Sequence, residues 1–528
     1  MKKQTLYDAE NKLITQISNQ LWNNIDLMQE IFADCDDVVM KDFRISRPEG
    51  ECRIYVVYID GLCDSSGLAE TIIKPLTYEW NVRNAEAAGT HMTKDGKFFD
   101  AILKFEAQTA DIKAESDMDK AVLSVLKGDT AVFVDGSSQA LVISTKKLPL
   151  RSIGENDIEP GLRGPRDEFN EGFRQSTALI RRRIRDPKLK VKQGTLGQRS
   201  RTDYGIIYLE GVADKQLVSE VEKSLDGYEI DAIFDSGMAE QLMEGNWRSP
   251  FPKFQATTRP DKVASGIVEG RVAVVFDNSP EVILAPANFN MLLQASDDYY
   301  NRWTVGTFSR IIRYIALFVA VGMPGLYIAL TVHHSELLPT KLLFAIVNAR
   351  YAVTFSVVTE VFIMELFFEL LREAGIRLPG PLGNTIGVVG GLIVGQAAVD
   401  AGIVSTIVVI VVALTAIASF AIPNEVFASV FRLLKFFIIL MSALWGLYGF
   451  WMGLMVIVIH LSGLNGFGQP YMLPGTEKVD LNNDLDYVIK APIDTMIKRP
   501  IWANKENKVR LKKNVDGGRA QKKRMKHR

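Results

Sequence analysis

Between Ile311 and Leu461 the chain carries several long apolar stretches, and one is built on a ladder of glycines. Gly387, Gly391 and Gly395 recur at every fourth position, and the charge-free run Ile403–Ile422 follows them. A helix of about 20 apolar residues matches the hydrocarbon core of a bilayer. Glycine at every fourth position bares one helix face, so a neighbouring helix can approach closely. The expectation is an integral membrane protein whose spans are shaped for packing, with a soluble region ahead of Arg302. Composition masks this: the formal net charge is −1, and mean hydropathy is only slightly positive, because a charged half dilutes an apolar one.

The opening MKKQTLYDAENKLITQ is too polar for a signal peptide. The first span is therefore expected to direct insertion and to leave the N-terminal half cytoplasmic. Cys35, Cys52 and Cys63 are sparse and all lie in that half, so reduced thiols are expected rather than a disulfide or a metal site.

The soluble half reads as a duplication. RIYVVYIDGLCD from Arg53 and YGIIYLEGVAD from Tyr204 are β-rich runs closed by Asp60-Gly61 and Glu210-Gly211, a strand followed by a turn. Each precedes a hairpin-like stretch, GDTAVFVDGSSQALVIST from Gly128 and GRVAVVFDNSPEVILAP from Gly270. Asp135-Gly136 and Asp277-Asn278 supply the turns. Helical patterns lie between, as at Ala213–Leu225. The fold class expected is an α/β soluble region of two similar subdomains, followed by an all-α polytopic membrane domain. The divisions are residues 1–150 for the first subdomain, 151–195 for a charged linker helix region and 196–295 for the second subdomain. The membrane domain follows at 302–465, and a basic tail at 466–528.

The linker carries Arg174, Arg181, Arg182, Arg183 and Arg185, too many for a buried helix. They can pair with acidic residues of the subdomains or of a neighbouring subunit. They can also lie on anionic headgroups, at about 1 kcal/mol per cation. Nucleic-acid binding is poorly supported by a single helix in a near-neutral chain.

In the membrane half, the first span is Ile311–Val332, interrupted at Met323-Pro324-Gly325 and preceded by Arg302, Arg310 and Arg313, which favour the cytoplasmic side. His333-His334 follow it and read as an interfacial loop. Lys341–Arg372 has helical period yet carries many polar groups. At about 100° per residue, Asn348, Ser356, Thr359 and Glu360 fall within a third of its circumference. A charge facing lipid at mid-bilayer costs roughly 3 kcal/mol, so these four are candidate pore-lining residues; a re-entrant or surface-lying helix is the alternative. Spans at Gly383–Ala401 and Ile403–Ile422 form a hairpin, and a last long span ends near Leu461. The basic tail is expected on the cytoplasmic side. With both ends inside, four full spans result if Lys341–Arg372 is re-entrant. That places Arg432 and Lys435 on the outer side, against the positive-inside rule.

No P-loop, HExxH, GxSxG or nucleotide fingerprint occurs, so enzyme chemistry, a metal and a cofactor have no residue-level support. The order of GDTAVFVDGSSQALVISTKK, RGPRDEFNEGFRQSTALIRRRIRDPKLKV and GQRSRTDYGIIYLEGVAD, then HHSELLPTKLL, ELLREAGIRLPGPLGNTIGVVGGLIVGQAAVDAGIVS, TAIASFAIPN and LSGLNGFGQPYMLP, resembles the A subunit of the GerA spore-germination receptor family. The likeness runs over residues 50–475. The stretch Asn84–Ser116 and the basic tail after Arg510 are longer than the family pattern. The resemblance implies a receptor subunit in the spore inner membrane, acting with a nutrient-sensing B subunit and a lipoprotein C subunit. It also implies assembly into a homo-oligomeric cation channel. Within the family, stage V sporulation protein AF is the alternative; outside it, a secondary transporter or a scaffold.

Overall fold

The computed structural model describes residues 13, 15–47, 50–68, 111–147, 159, 163–377, 395–473, 486–500, 502–504 and 506–511. They form two compact units. The first holds residues up to Gly245, then Phe254–Pro286 and the segment from Lys498. The second holds Asn246–Lys253 and Ala287–Ile497.

The first unit contains two five-stranded sheets of the same design. One is built from α1 (Leu21–Ile31), β1 (Val38–Arg47), β2 (Gly50–Ile59), β3 (Ile112–Glu115), α2 (Met118–Leu126), β4 (Thr130–Val134) and β5 (Ala140–Ile143). The other runs α3 (Phe173–Arg183), β6 (Leu189–Leu196), β7 (Thr202–Leu209), α4 (Lys215–Asp226), α5 (Ser236–Glu244), β8 (Gln255–Thr257), α6 (Pro260–Val268), β9 (Val272–Phe276) and β10 (Val282–Ala285). The strand orders are β1-β2-β4-β5-β3 and β6-β7-β9-β10-β8, the same permutation twice. Among the described residues every strand pairing within the two sheets is antiparallel, so the α/β expectation holds as helices packed on antiparallel sheets.

The strands follow from side-chain alternation. Tyr55, Val57 and Ile59 of β2 face α1 and α2, packing on Leu21, Ile25, Met28, Met118 and Val122. Ile54, Val56 and Tyr58 face the opposite side, with Val132, Val134, Leu141 and Ile143. In the second sheet Ile207, Ala273, Val275 and Leu284 pack on Phe173, Ile180, Val263 and Ile267. Both hairpins turn where the sequence places them, and each turn acid also closes a helix: Asp135 accepts from the Leu21 N–H and Asp277 from the Phe173 N–H. Asp117, Asp214 and Asp235 cap α2, α4 and α5, as short acceptor side chains do at helix starts.

The second unit is helical: α7 (Trp303–Ile328), α8 (Thr340–Arg350), α9 (Val357–Arg377), α10 (Thr406–Phe420) and α11 (Glu425–Gly463). Among the described residues two helices are long and apolar enough to cross a membrane, α7 with its continuation to His333, and α11. The surface of the unit is strongly apolar, with Ile417, Phe420, Leu433, Tyr448, Trp451 and Met455 each more than 60% exposed.

Two expected helices are cut differently. Lys341–Arg372 is not one helix, because the chain breaks between Arg350 and Val357. Ser356 starts α9 by accepting from the Thr359 N–H, and the Thr354 N–H leaves the helical ladder for the Gly402 carbonyl. The last long span is likewise not one rod. Thirty-nine helical residues would stretch about 58 Å if straight. Instead Gly446, at φ 59° and ψ −138°, reverses the chain. Phe251 lies 6.4 Å from Phe427 and 5.8 Å from His460, ring to ring, so the two ends of α11 are side by side.

The unit therefore has a base and an apex. α7 rises from the base to His333, which packs against Gly446 at the apex. Arm 425–445 rises beside it and arm 447–463 returns. α9 and α10 both descend: Glu360 meets Ser405 near their starts, and Arg372 meets Ser419 near their ends. Arg432 and Lys435 thus sit toward the same end of the unit as Arg310 and Arg313.

Candidate functional site

α9 places Glu365 and Glu369 one turn apart, on one face. Both meet Lys435 of α11, whose Nζ is 2.6 Å from Glu365 and 3.1 Å from Glu369. Arg432 stands 3.9 Å from Glu369 and 3.1 Å from Glu425. Arg372 reaches Glu425 at 2.9 Å and donates to Ser419 Oγ at 3.3 Å. Three carboxylates and three cations so form one neutral network. Glu365 and Lys435 are buried, where an isolated charge is untenable but a paired one is held. A cavity of about 270 Å³ opens beside the network, with Glu369, Arg372 and Arg432 on its polar side and Ile376, Leu433 and Phe436 on its apolar side. Toward the apex a second pair bridges the break before α9. Arg350 lies 3.2 Å from Glu360 Oε1, and Glu360 Oε2 accepts from the Ser405 N–H at 2.9 Å. Glu360 is completely buried.

The four candidate pore residues do not share one helix face. Asn348 lies on α8, Ser356 at the start of α9, and Thr359 in its first turn, all exposed or half-buried. Glu360 points the other way, into its ion pair. The helix break removes the continuous 100° rotation that united them. Ser356 and Thr359 remain together, hydroxyl to hydroxyl at 2.9 Å.

Of the glycine ladder, Gly387 and Gly391 lie outside the described residues. A Cβ on Gly395 would make an ordinary 3.7 Å contact with Val409. Close packing falls on other glycines. A Cβ on Gly325 would stand 2.7 Å from Ile438, one on Gly453 2.8 Å from Ile438, and one on Gly449 would overlap the Met441 carbonyl.

The linker arginines divide three ways. Arg181 is completely buried and bidentate to Asp37, with both bonds 2.7 Å. Burial opposes its charge, but Asp37 more than offsets this and holds the guanidinium above its ordinary pKa. As a lipid or subunit contact Arg181 is corrected: it staples α3 to the start of β1 inside one chain. Arg174 pairs with Asp60 and Arg183 with Asp167, also within the chain. Arg182 is half-buried and Arg185 is exposed. Around this joint the Cys35–Asp37 segment pairs with Val191 of β6. None of the three cysteines forms a disulfide, and all are buried; burial pushes the Cys35 and Cys63 thiols up, which lowers their thiolate fraction.

A model described as "Bacillus/Clostridium GerA spore germination protein" matches residues 26–502. The chain belongs to the GerA spore germination family. Spore germination protein KA of Bacillus subtilis (strain 168) is 37% identical over 494 residues, covering 94% of this chain and 88% of that protein. Spore germination protein A1 of the same organism is 42% identical over 374 residues, 71% of this chain and 77% of its own length. The crystal structure of the N-terminal domain of the A subunit of the Bacillus megaterium spore germinant receptor GerK3 is similar at 26% identity and a TM-score of 0.41, covering 53% of this chain and 99% of that one.

In this GerA-family chain, reading the sequence singled out the polar start of α9 and passed over Glu365–Lys435 as a pair. The signal was present. Glu365, Glu369 and Arg372 recur at helical spacing on α9, and Arg432 and Lys435 three apart on α11. It becomes decisive only once α11 is known to fold back beside α9.

Proposed function

We propose that this chain is the A subunit of a nutrient germinant receptor of the spore inner membrane, and that copies of it assemble around a cation-conducting path whose opening starts germination. Its partners are a nutrient-sensing B subunit and a lipoprotein C subunit, as in receptors of this family. Among the described residues the helices that cross the bilayer are α7, α9, α10 and the two arms of α11. The base is cytoplasmic, where Arg310, Arg313, Arg432 and Lys435 gather, in keeping with the positive-inside rule. Lipid covers the apolar surface, which is far larger than water tolerates on a monomer.

One observation carries the conducting role. Asn348, Ser356 and Thr359 are polar and reach the surface of a unit whose exposed side chains there include Phe344, Tyr351, Phe355 and Phe362. Polar groups exposed among aromatic side chains on a membrane protein call for water or another protein surface. In the assembled receptor these three therefore line the path, with Glu360 behind them, neutralised by Arg350.

Cysteine at Asn348, Ser356 or Thr359 is expected to react with a water-soluble thiol reagent in assembled receptor and to reduce nutrient-triggered cation flux in reconstituted vesicles. Cysteine at Phe362 is expected to stay unreactive. Reaction at Phe362 with none at the three polar positions would place the path elsewhere. Flux that saturates with a co-transported solute would make the protein a transporter, and no flux at all a scaffold.

A further inference from the structure

The two sheets of the soluble unit correspond contact by contact. The Asp60 N–H bonds the Asp37 carbonyl, and the Glu210 N–H the Lys188 carbonyl. The Gly136 N–H bonds Asn19, and the Asn278 N–H bonds Glu171. Gly128 ends the turn after α2 at φ 95°, and Gly270 ends the turn after α6 at φ 95°. In the first sheet the chain then runs through β4 and β5 and closes the repeat at once with Thr145–Lys147. The Lys147 N–H donates to the Leu62 carbonyl at 2.9 Å, and Lys146 forms an antiparallel bridge with Cys63.

In the second sheet the chain leaves after β10 for the helical unit and makes no such closure. The vacant position is filled from the far end of the sequence. The Asn504 N–H donates to the Val212 carbonyl at 2.8 Å, and Ala503 forms an antiparallel bridge with Ala213. The glycines support the match. A Cβ on Gly128 would meet the Leu62 carbonyl at 3.0 Å and the Lys146 side chain at 3.5 Å. A Cβ on Gly270 would meet the Val212 carbonyl and Ala503, each at 3.0 Å. Trp502 and Ala503 are buried. Arg499 donates to the Val268 carbonyl, Arg510 pairs with Glu269 at 2.9 Å, and Lys498 forms an antiparallel bridge with Val509.

We infer that Trp502–Asn504 is the displaced closing segment of the second repeat, and that the helical unit is an insertion between β10 and this segment. The surface formed by Val212, Ala213, Val268 and Gly270 is then a docking groove whose occupant is the chain's own C-terminal strap. Because the helical unit departs at Pro286 and its exit is pinned by Ala503, both ends of the insertion are fixed to one soluble subdomain. A displacement of that subdomain acts on the helical unit through both connections, and the strap is the second of them.

The first repeat supplies its own control for a cross-linking test in the full-length protein. Antiparallel bridge partners stand about 4.5–5.5 Å apart at Cα, within disulfide range. Ala213→Cys with Ala503→Cys is expected to form a disulfide within one chain under mild oxidation. Its yield should be within about threefold of that between native Cys63 and Lys146→Cys, since the two geometries are equivalent. Both are read by peptide mapping. In a second measurement, Ala503→Arg, for which Gly270 leaves no room, is expected to raise amide exchange at residues 209–213 and 268–272 by about tenfold or more. Residues 59–63 and 126–130 should be unchanged. Three results would each overturn the inference. One is a disulfide in the control protein with none in the doubly substituted one. Another is a disulfide in the doubly substituted protein that joins two chains. The third is exchange that rises equally in both repeats.

Discussion

Lys435 stands between two carboxylates on a helix whose surroundings are Val, Ile and Phe. Its ammonium pairs with the carboxyls of Glu365 and Glu369, 2.6 and 3.1 Å away, in a setting that penalises an unpaired charge. Removing one partner of such a group costs about 3–5 kcal/mol, because the remaining charge is stranded. Lys435→Met is therefore expected to lower the stability of detergent-purified protein by that order, and Lys435→Met with Glu365→Leu to recover part of it. Thermal unfolding of the three proteins checks this; equal loss in the single and double variants would show that the pair is not the unit that matters. A residue of the soluble unit gives a pH-dependent counterpart. Glu240 is half-buried, and burial, reinforced by Glu244, Glu281 and Asp235, pushes its carboxyl up to about 7. In the unfolded chain a glutamate titrates near 4.3. Folding therefore takes up a proton between these values, and stability falls as pH rises through that window, with the loss complete above about 7. Glu240→Gln should stabilise the soluble unit at pH 8 by about 2 kcal/mol, after allowance for screening. At about pH 5, where both folded side chains are neutral, most of the gain should vanish; a gain of the same size at both values would mean that charge is not the cause.

Elements whose cause is local were legible in the sequence. The strands around Val56 and Ile207 announce themselves by β-branched runs, and the hairpins by Asp135-Gly136 and Asp277-Asn278, because turn chemistry acts within four residues. The breaks in the helical unit were not legible, because each depends on a distant partner. The run Lys341–Arg372 keeps its apolar period across the break, and only the Gly402 carbonyl, which takes the Thr354 N–H, shows why the helix stops. Gly446 lies in LWGLYGFWMG, which reads as an uninterrupted span. Its conformation is one that residues with a Cβ scarcely adopt, and a Cβ there would stand 2.7 Å from the His333 Cβ. His333 in turn bonds the Ala443 carbonyl through Nε2 at 2.9 Å, so the apex has little room to yield. Gly446→Ala is expected to cost about 1–3 kcal/mol in backbone strain, with overpacking of similar size added, and to reduce receptor level in spore membranes. Gly463→Ala, where nothing stands within 4 Å of the new Cβ, should leave the level unchanged. Normal accumulation of the Gly446 variant would refute the reversal.

At the scale of the whole molecule, the reversal decides which residues share an end of the helical unit. A straight α11 would carry Pro423 and Ser462 to opposite faces. Folded at Gly446, it returns Ser462 beside Pro423, at the end where α7 begins. The aromatic cluster Phe251, Phe289, Phe427 and Tyr471 ties that end together, and the native cysteines are buried, so engineered thiols should report without background. Cysteine at Thr304, Pro423 and Ser462 is expected to react with a membrane-impermeant reagent in inside-out vesicles and to be protected in right-side-out ones. Cysteine at Val332, close to the apex, is expected to show the reverse. The charge distribution favours the same outcome: the cations of α7, α9 and α11 then gather toward one face, and Glu365, Glu369 and Glu425 pair with those on α9 and α11. If Pro423 and Ser462 react from opposite faces, α11 crosses once, and Arg432 and Lys435 must be explained again. If both react from the face of Thr304, the chain crosses an even number of times between Thr304 and Ser462, and the network of Glu365, Glu369 and Lys435 belongs to the half nearer that face.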